Sequence, residues 1–202
     1  MAKLKAPLLS LGASGAIGKA IVFFPWKGLN VAREYVVPAN PKTDAQNTQR
    51  GYLIVVVAQI HKIQALAADA LTSVDTSAYA LWGSIYPTPR TWFNQAVKNW
   101  LDQNVLGKTG IIWSNGHTTP ADGQLTMSIV ATDSTPDSAK FYYGTSKTAL
   151  TNSIAGVKAG GVYSKVVTGL TNGVKYYWQI RPVTPAIRIG SFSGIYYGTP
   201  KA

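Results

Sequence analysis

Residues 26–50 restrict the folds open to this chain more than any other segment. The apolar run Ile21–Trp26 and the alternating run at 31–36 predict two strands, and Lys27 and Gly28 between them predict a tight turn. A two-stranded ribbon of this length is too small to be stable alone, and its free edges would accept strands from a neighbouring protein. The sequence therefore predicts a hairpin that needs a partner.

Two prolines and a capping motif follow this hairpin. Pro38 and Pro41 end the second strand and keep the connection extended, because each fixes its own φ and disfavours helix at the preceding residue. Thr43 and Gln46 have the spacing of a capping box, in which a hydroxyl and an amide satisfy the free donors of a first helical turn. We therefore expect a helix to begin at Thr43.

The same segment contains the motif Val-Ala-Arg-x-Tyr-Val-x-Pro-Ala-Asn-Pro-x-Thr, which begins at Val31. This motif resembles the start of a family of small uncharacterised proteins found among the structural genes of tailed phages and prophages. The resemblance extends to about residue 105, through aromatic segments at 79–82 and 92–100. It implies a virion protein that is made in the host cytoplasm and whose partners are capsid or tail proteins and copies of itself.

Helical periodicity continues up to about residue 105. Apolar residues recur every three or four positions from Thr43 to about Leu71, which predicts a long helix. A second helix is expected to be capped by Thr76, and a third to span about 91–103 before Gly107. With the hairpin, these helices form a predicted α+β N-terminal domain, a β-hairpin plus about three helices, at residues 1–110.

Beyond a predicted linker at about 106–120, the sequence changes to short β-rich runs separated by turns. Strands are predicted at 124–132, 139–145, 163–168, 175–183 and 192–198. The segment around Leu170, Tyr176 and Trp178 resembles a fibronectin type III module, and the resemblance covers about residues 117–200. It implies an all-β immunoglobulin-like sandwich at residues 111–202, with Leu170 in the core and Tyr176 forming a corner hydrogen bond.

The net charge of +11 is positive in both halves, since residues 1–110 carry eleven basic and five acidic side chains and residues 111–202 carry eight and three. This diffuse excess favours a weakly acidic partner surface or solubility. Basic residues beside Tyr and Trp are also compatible with nucleic acid, so a basic nucleic-acid-binding protein stays an alternative. Because the basic residues form no cluster, nucleic acid is not the expected partner.

Motifs for catalysis or cofactor binding are absent from the sequence. Gly12, Gly15 and Gly18 precede Lys19, but their spacing matches neither a phosphate-binding loop nor a dinucleotide fingerprint. The two histidines are far apart in sequence, the eight carboxylates are scattered, and there is no cysteine. We therefore expect no enzymatic activity, catalytic residues, metal or cofactor. No apolar run is long enough to span a membrane, and the N-terminus lacks the pattern of a signal peptide.

Six Trp and eleven Tyr residues favour a contact surface, because interfaces are enriched in both. We expect a capsid decoration, cement or head-fibre-base protein that docks through its N-terminal domain and projects the sandwich, with a tail or connector component as the alternative. Exposed Tyr residues also leave open a carbohydrate- or cell-surface-binding module whose partner is a host glycan. The predicted assembly interface consists of Ile21, Phe23, Trp26, Val31, Arg33, Tyr35, Pro38, Asn40 and Pro41.

Overall fold

The computed structural model describes residues 2–4, 14–37, 39–40, 42–132 and 135–202. The chain divides into two compact units, which we call unit 1 (Met1–Thr43) and unit 2 (Asp44–Ala202). The described residues form three α-helices and three four-stranded sheets in which every strand pair is antiparallel. The predicted mixture of helices and antiparallel sheet is therefore confirmed.

Unit 1 contains one sheet with the strand order β1-β4-β3-β2. Its strands are β1 (Ala2–Leu4), β2 (Gly15–Ile17), β3 (Ile21–Trp26) and β4 (Leu29–Glu34). The predicted hairpin is confirmed as β3 and β4, whose turn residues Lys27 and Gly28 both have positive φ, at 49° and 76°. The second strand begins two residues earlier than predicted, at Leu29, because the turn needs only two residues.

Three helices open unit 2: α1 (Asp44–Gln64), α2 (Ser73–Gly83) and α3 (Trp92–Val105). Helix α1 ends before the predicted Leu71, and Asp69 beyond it has a positive φ of 59°, which a right-handed helix does not allow. Helix α2 is capped by Thr72 and not by Thr76 as predicted. Thr72 is the N-cap because it forms a reciprocal capping box with Asp75. The Thr76 hydroxyl instead donates to the Ser73 carbonyl within the helix.

Two further sheets complete unit 2. One has the order β5-β6-β10-β9 and the other the order β12-β11-β7-β8. The strands of the first are β5 (Trp113–Ala121), β6 (Gln124–Ala131), β9 (Val157–Ala159) and β10 (Val162–Thr168); those of the second are β7 (Ser138–Gly144), β8 (Asn152–Ala155), β11 (Tyr176–Thr184) and β12 (Tyr196–Gly198). Buried side chains from both sheets form a single cluster that includes Trp113, Phe141, Tyr163 and Trp178. Edge-to-face contacts join Trp113 to Tyr163 and Phe141 to Trp178.

The helices share a second apolar cluster with residues outside the helices. Val56 and Ile60 of α1 and Trp100 of α3 pack in this cluster together with Ile112 and Ile195. An amphipathic helix needs an apolar surface to cover its buried face, and the chain around the sheets supplies part of it here.

The structure places the division of the chain elsewhere than the sequence predicted. The predicted linker at 106–120 contains Ile111, Ile112 and Trp113, which are at most 2% exposed, and it runs into β5. The compact units instead separate between Thr43 and Asp44. The predicted domains 1–110 and 111–202 therefore divide the helices from sheet residues with which they share a core.

The last predicted strand is shorter than expected, because β12 begins at Tyr196 and not at residue 192. In the preceding segment, serine side chains take the place of regular backbone hydrogen bonds between strands. The Ser193 hydroxyl accepts from the Ile180 amide at 3.1 Å, and the Ser191 hydroxyl accepts from the Ile111 amide at 3.2 Å. Such side-chain bonds to the backbone compete with sheet pairing.

Candidate docking surface

The unit 1 sheet presents apolar side chains on both faces. Directly opposed residues of an antiparallel pair lie on the same face, and successive residues of a strand lie on opposite faces. Phe24 is opposite Val31 and Trp26 is opposite Leu29, so these four residues share one face with Val22. We call this set (Val22, Phe24, Trp26, Leu29, Val31) face A.

The opposite face is mixed: Glu34 lies there opposite Ile21, beside further apolar residues. Ile21 pairs with Ile17 of β2, and Phe23 pairs with Ala32 of β4. These four residues form face B. A sheet in a water-soluble protein usually has one polar face and one apolar face, so apolar residues on both faces require cover on both sides or a partner.

The apolar side chains of this sheet are poorly covered. Among the residues of unit 1 whose side chains the structure describes, Val31 alone is buried, at 5% exposure. Trp26 is 53% exposed, Leu29 44%, Ile17 50% and Ile21 44%. Face A and face B thus both offer large apolar groups to a binding partner.

The edges of the hairpin are not free, contrary to the prediction of a two-stranded ribbon. Strand β2 pairs with β3 along one edge and strand β1 pairs with β4 along the other. Both flanking strands have three residues, and short edge strands are poor templates for adding a further strand. The faces of the sheet, and not its edges, are therefore the candidate docking surface.

Positive charge is concentrated in unit 1. Residues 1–43 contain six basic side chains and one acidic side chain, Glu34, so 43 residues carry a net charge of +5, out of +11 for the chain. Arg33 is exposed, and its guanidinium lies 5.4 Å from the centre of the Phe24 ring. The docking surface therefore combines apolar faces with a cationic charge that complements an acidic partner.

The structure brings together most of the residues predicted from the sequence as an assembly interface. Trp26, Val31 and Arg33 lie on the face A side of the sheet, and Ile21 and Phe23 lie on face B. Val31 is buried, so it contributes to the packing of the sheet and not to its exposed surface. Beyond β4, the half-buried Tyr35 donates its amide to the Ala20 carbonyl at 2.8 Å, and Asn40 is exposed; Pro38 and Pro41 lie outside the described residues.

Sequence reasoning missed four exposed apolar residues of unit 1: Ile17, Leu29, Val36 and Val37, of which the two valines are 65% and 71% exposed. The alternation of the strand predicted which residues share a face. It could not tell which face would be covered, because both faces carry apolar residues.

The glycine-rich segment before the hairpin serves as a turn. Gly15 lies in β2, and Gly18 has a φ of 57° in the tight turn that leads to β3. Glycine adopts this backbone conformation without steric cost, which explains its presence in a hairpin turn. Gly12 lies outside the described residues.

A buried carboxylate is the other place where polar groups converge. Asp75 is fully buried at the start of α2. Its Oδ1 accepts from the Gly116 amide at 2.8 Å and from the Tyr196 hydroxyl at 2.7 Å. Its Oδ2 accepts from the Thr72 amide and hydroxyl at 2.7 and 2.8 Å and from the Asn115 amide at 3.0 Å. Five neutral donors therefore hold this carboxylate and fasten α2 to β5 and β12.

Tyrosines around this carboxylate are poor acids. Burial raises the pKa of Tyr196 well above its usual value, and the nearby Asp75 charge adds to the effect. Burial also raises the pKa of Tyr79, whose hydroxyl accepts from the Trp113 amide at 3.1 Å. Away from this carboxylate, burial, followed by the charge of Asp137, raises the pKa of Tyr163 to about 12. All three phenols stay protonated at neutral pH, and the hydrogen bonds of Tyr196 and Tyr79 join α2 to β12 and β5.

The spacing of Thr72 and Asp75 is a capping signal that was visible in the sequence but was not used. Its partners Gly116 and Tyr196 are distant in sequence, so the buried network itself had no local signal.

The three residues taken from the fibronectin resemblance lie in or beside the core between the two sheets of unit 2. Trp178 is fully buried, and its indole Nε1 donates to the Thr118 hydroxyl at 2.7 Å. Leu170 is half-buried against the same core. The Thr171 amide donates to the Tyr176 hydroxyl at 3.2 Å, at the exposed turn that precedes β11.

No metal-binding group is evident in the part of the chain that the structure describes: no three His, Asp or Glu side chains come close enough to hold an ion. His61 lies on α1 and His117 on β5, and both are exposed. None of the described helices is both long and apolar enough to cross a bilayer.

Neither protein-family models nor curated protein sequences match this chain.

Proposed function

We propose that this chain is a non-enzymatic structural protein of a tailed-phage particle, which docks onto the particle through the unit 1 sheet and displays unit 2. The segment starting at Val31 resembles phage structural proteins, and this resemblance supports the assignment of the chain to a phage particle. A capsid decoration, cement or head-fibre-base role fits a protein with one docking unit and one displayed unit, and a tail or connector position is the alternative.

The observation that carries this proposal is the exposure of large apolar side chains on both faces of one small sheet. Trp26, Leu29, Ile17 and Ile21 are each between 44% and 53% exposed. Burying such side chains against a partner is favourable by about 25 cal/mol per Å² of apolar surface, and Trp is a frequent anchor of protein interfaces. A partner that covers the sheet would therefore add the most buried apolar surface.

The charge of unit 1 favours an acidic protein surface as its partner. A second copy of the chain would bring two units of net charge +5 together, and this repulsion opposes self-association through unit 1. An apolar patch with an acidic rim on a shell or tail protein complements both the faces and the charge. Many copies on a symmetric particle would then multiply a modest affinity.

We further propose that unit 2 displays a sandwich of the fibronectin type III kind. Two facing four-stranded sheets around a shared core, with Trp178 buried between them, support this assignment. The bond from the Thr171 amide to the Tyr176 hydroxyl has the pattern of a tyrosine corner, which characterises immunoglobulin-like folds. Helices α1–α3 share a core with this part of the chain and belong to the displayed unit.

Cosedimentation with particles tests the docking role. A tagged chain would be supplied to cells that produce the phage encoding it, and the bound fraction would be measured after the particles are purified. Trp26→Ser and Leu29→Ser are expected to weaken association at least about tenfold, because each removes an exposed anchor of face A. Raising the salt concentration should weaken it further, since an acidic partner is screened.

Val157→Ser and Ile187→Ser are matched controls, because these residues are 58% and 49% exposed on unit 2. Both variants should associate like the unmodified chain. Association of a fragment lacking residues 1–43 would contradict docking through unit 1, and failure of the unmodified chain to sediment with particles would contradict the virion role.

A further inference from the structure

A cavity of about 360 Å³ lies in unit 2 between α3, the end of α2 and the segment at 189–192. The rings of Trp82, Tyr86 and Phe192 supply its apolar wall. This volume is at the lower end of the range for small-molecule sites, roughly 300–1,000 Å³, which suits a ligand of the size of one or two sugar rings.

Three amide side chains line this cavity from one face of α3. Gln95, Asn99 and Gln103 are spaced four residues apart, so they form a row along the helix, and all three are at most 8% exposed. Buried amides are costly in a protein core unless their donors and acceptors find partners. A row of three therefore requires an explanation.

Protein partners satisfy this row only in part. Gln95 accepts from the Arg90 guanidinium at 3.0 Å, and Asn99 donates to the Phe192 carbonyl at 3.2 Å. The Oε1 atom of Gln103 is buried and has no hydrogen-bond partner among the described residues. Gly190 packs directly against it, since a Cβ at this position would lie 2.3 Å from Oε1. Only glycine lets the backbone at position 190 lie this close to the unpartnered acceptor.

The cavity also has a positive charge. Lys98 is paired with Asp102 at 2.5 Å, which leaves Arg90 and Lys108 without an ion-pair partner among the described residues. The Arg90 guanidinium lies 4.2 Å from the centre of the Tyr86 ring, and Lys108 Nζ donates to the Ile189 carbonyl at 3.2 Å. Both cations contact neutral groups, so their charges remain available to an anionic ligand.

We propose that this cavity binds an acidic sugar, a hexuronate unit of a polysaccharide. Sugar hydroxyls both donate and accept, and the amide row offers donors and acceptors. The sugar carboxylate complements Arg90 and Lys108, and its C–H groups pack on the aromatic wall. This site would give unit 2 a glycan-recognition role separate from docking through unit 1, and it does not depend on that docking.

NMR titration of the intact chain tests this site. Methyl glucuronide, methyl glucoside as its matched neutral sugar, and inorganic phosphate would be added separately to ¹⁵N-labelled protein. Methyl glucuronide is expected to bind with a Kd on the order of 1 mM. It should shift the side-chain amides of Asn99 and Gln103 and the backbone amide of Gly190, whereas the glucoside should bind about tenfold more weakly.

Two variants test whether the ligand binds in this cavity. Lys108→Met keeps the aliphatic stem and removes the charge, and Gln103→Leu removes the unpartnered acceptor; each should weaken glucuronide binding about tenfold. Lys140→Met, a change at an exposed lysine of β7, should leave binding unchanged.

Absence of shifts at Asn99, Gln103 and Gly190 in the unmodified chain would overturn the proposal without reference to any variant. Equal affinity for the glucoside, or for phosphate, would also overturn it, because the site would then select neither the carboxylate nor the sugar.

Discussion

Unit 1 and unit 2 bury their apolar side chains to very different degrees. Unit 2 has two buried clusters, and all of their members among the described residues belong to unit 2. Unit 1 has one buried side chain, Val31, among those that the structure describes, and it leaves a tryptophan half exposed. The two units also differ in charge density, since 43 residues of unit 1 carry +5 and the other 159 carry +6.

This difference teaches that the two units depend on different sources of stability. Packing and the Asp75 network can hold unit 2 together without any other protein. A small sheet with apolar residues on both faces would gain its missing burial from a partner, so the proposed docking would also stabilise it. A docking element of this kind is expected to be the weaker part of the free protein.

Separating the units gives the largest expected effect. A fragment of residues 44–202 should unfold cooperatively with a Tm within about 2 °C of the intact chain, because it keeps both clusters. A fragment of residues 1–43 should show no cooperative transition, since so short a chain cannot bury enough apolar surface. Circular dichroism melts measure both. A loss of cooperative unfolding in the longer fragment would show that unit 2 needs unit 1 for its stability and would contradict the difference between the units.

Removing the buried carboxylate gives the next largest effect. Asp75→Ala leaves five donors without their acceptor in a buried site and should cost about 3–5 kcal/mol of the free energy of unfolding. Asp102→Ala is the matched control, because its i,i+4 ion pair with Lys98 is exposed and is worth about 0.5 kcal/mol or less. Urea unfolding curves compare the two. Equal losses would mean that the network does not hold α2 to the sheets.

High pH should destabilise unit 2 through its buried tyrosines. Tyrosine in the unfolded chain titrates near pH 10, whereas burial raises the pKa of Tyr196 and Tyr79 in the folded protein. Stability is therefore intact below about pH 10 and falls above it, by up to about 1.4 kcal/mol per pH unit for each tyrosine. Urea unfolding between about pH 9 and about pH 11 measures this slope.

The Tyr196→Phe variant sharpens this test. It should be less stable at neutral pH, because Asp75 loses a donor, but its stability should fall less steeply above about pH 10. Tyr197→Phe, at a residue that is 55% exposed, should keep the full slope. An unchanged slope in Tyr196→Phe would remove this residue as a cause of alkaline destabilisation.

The sequence predicted the elements that have strong local signals. The β3-β4 hairpin, the three helices and strands β6, β7, β10 and β11 were expected from alternation, helical periodicity and turn residues. Strands β1, β2, β8 and β9 were not expected, because three or four residues show too little alternation. The nine-residue β5 was not expected either, because most of it lies in the predicted linker. The unit boundary was also missed, since burial of Ile112 against the helices is a long-range effect that no local pattern reports.

The candidate surface was predictable in its residues but not in its exposure. Alternation assigned Trp26 and Val31 to strands, yet one is 53% exposed and the other 5%. Both are apolar and lie on the same face, so neither residue type nor the two-residue alternation of a strand could predict which one is exposed. Their exposure depends on which neighbours cover each residue, and only the folded sheet specifies that.

The smallest expected effect on stability is that of Trp26→Ser. In the free protein this change should alter the free energy of unfolding by less than about 0.5 kcal/mol, because the side chain is exposed and belongs to neither cluster of unit 2. Trp178→Ala, at a fully buried tryptophan, should cost about 3–5 kcal/mol in the same thermal melts. If Trp26→Ser were as costly as Trp178→Ala, unit 1 would have a packed core and would not need a partner. A small stability effect combined with a large loss of particle association is the result that identifies Trp26 as a docking residue.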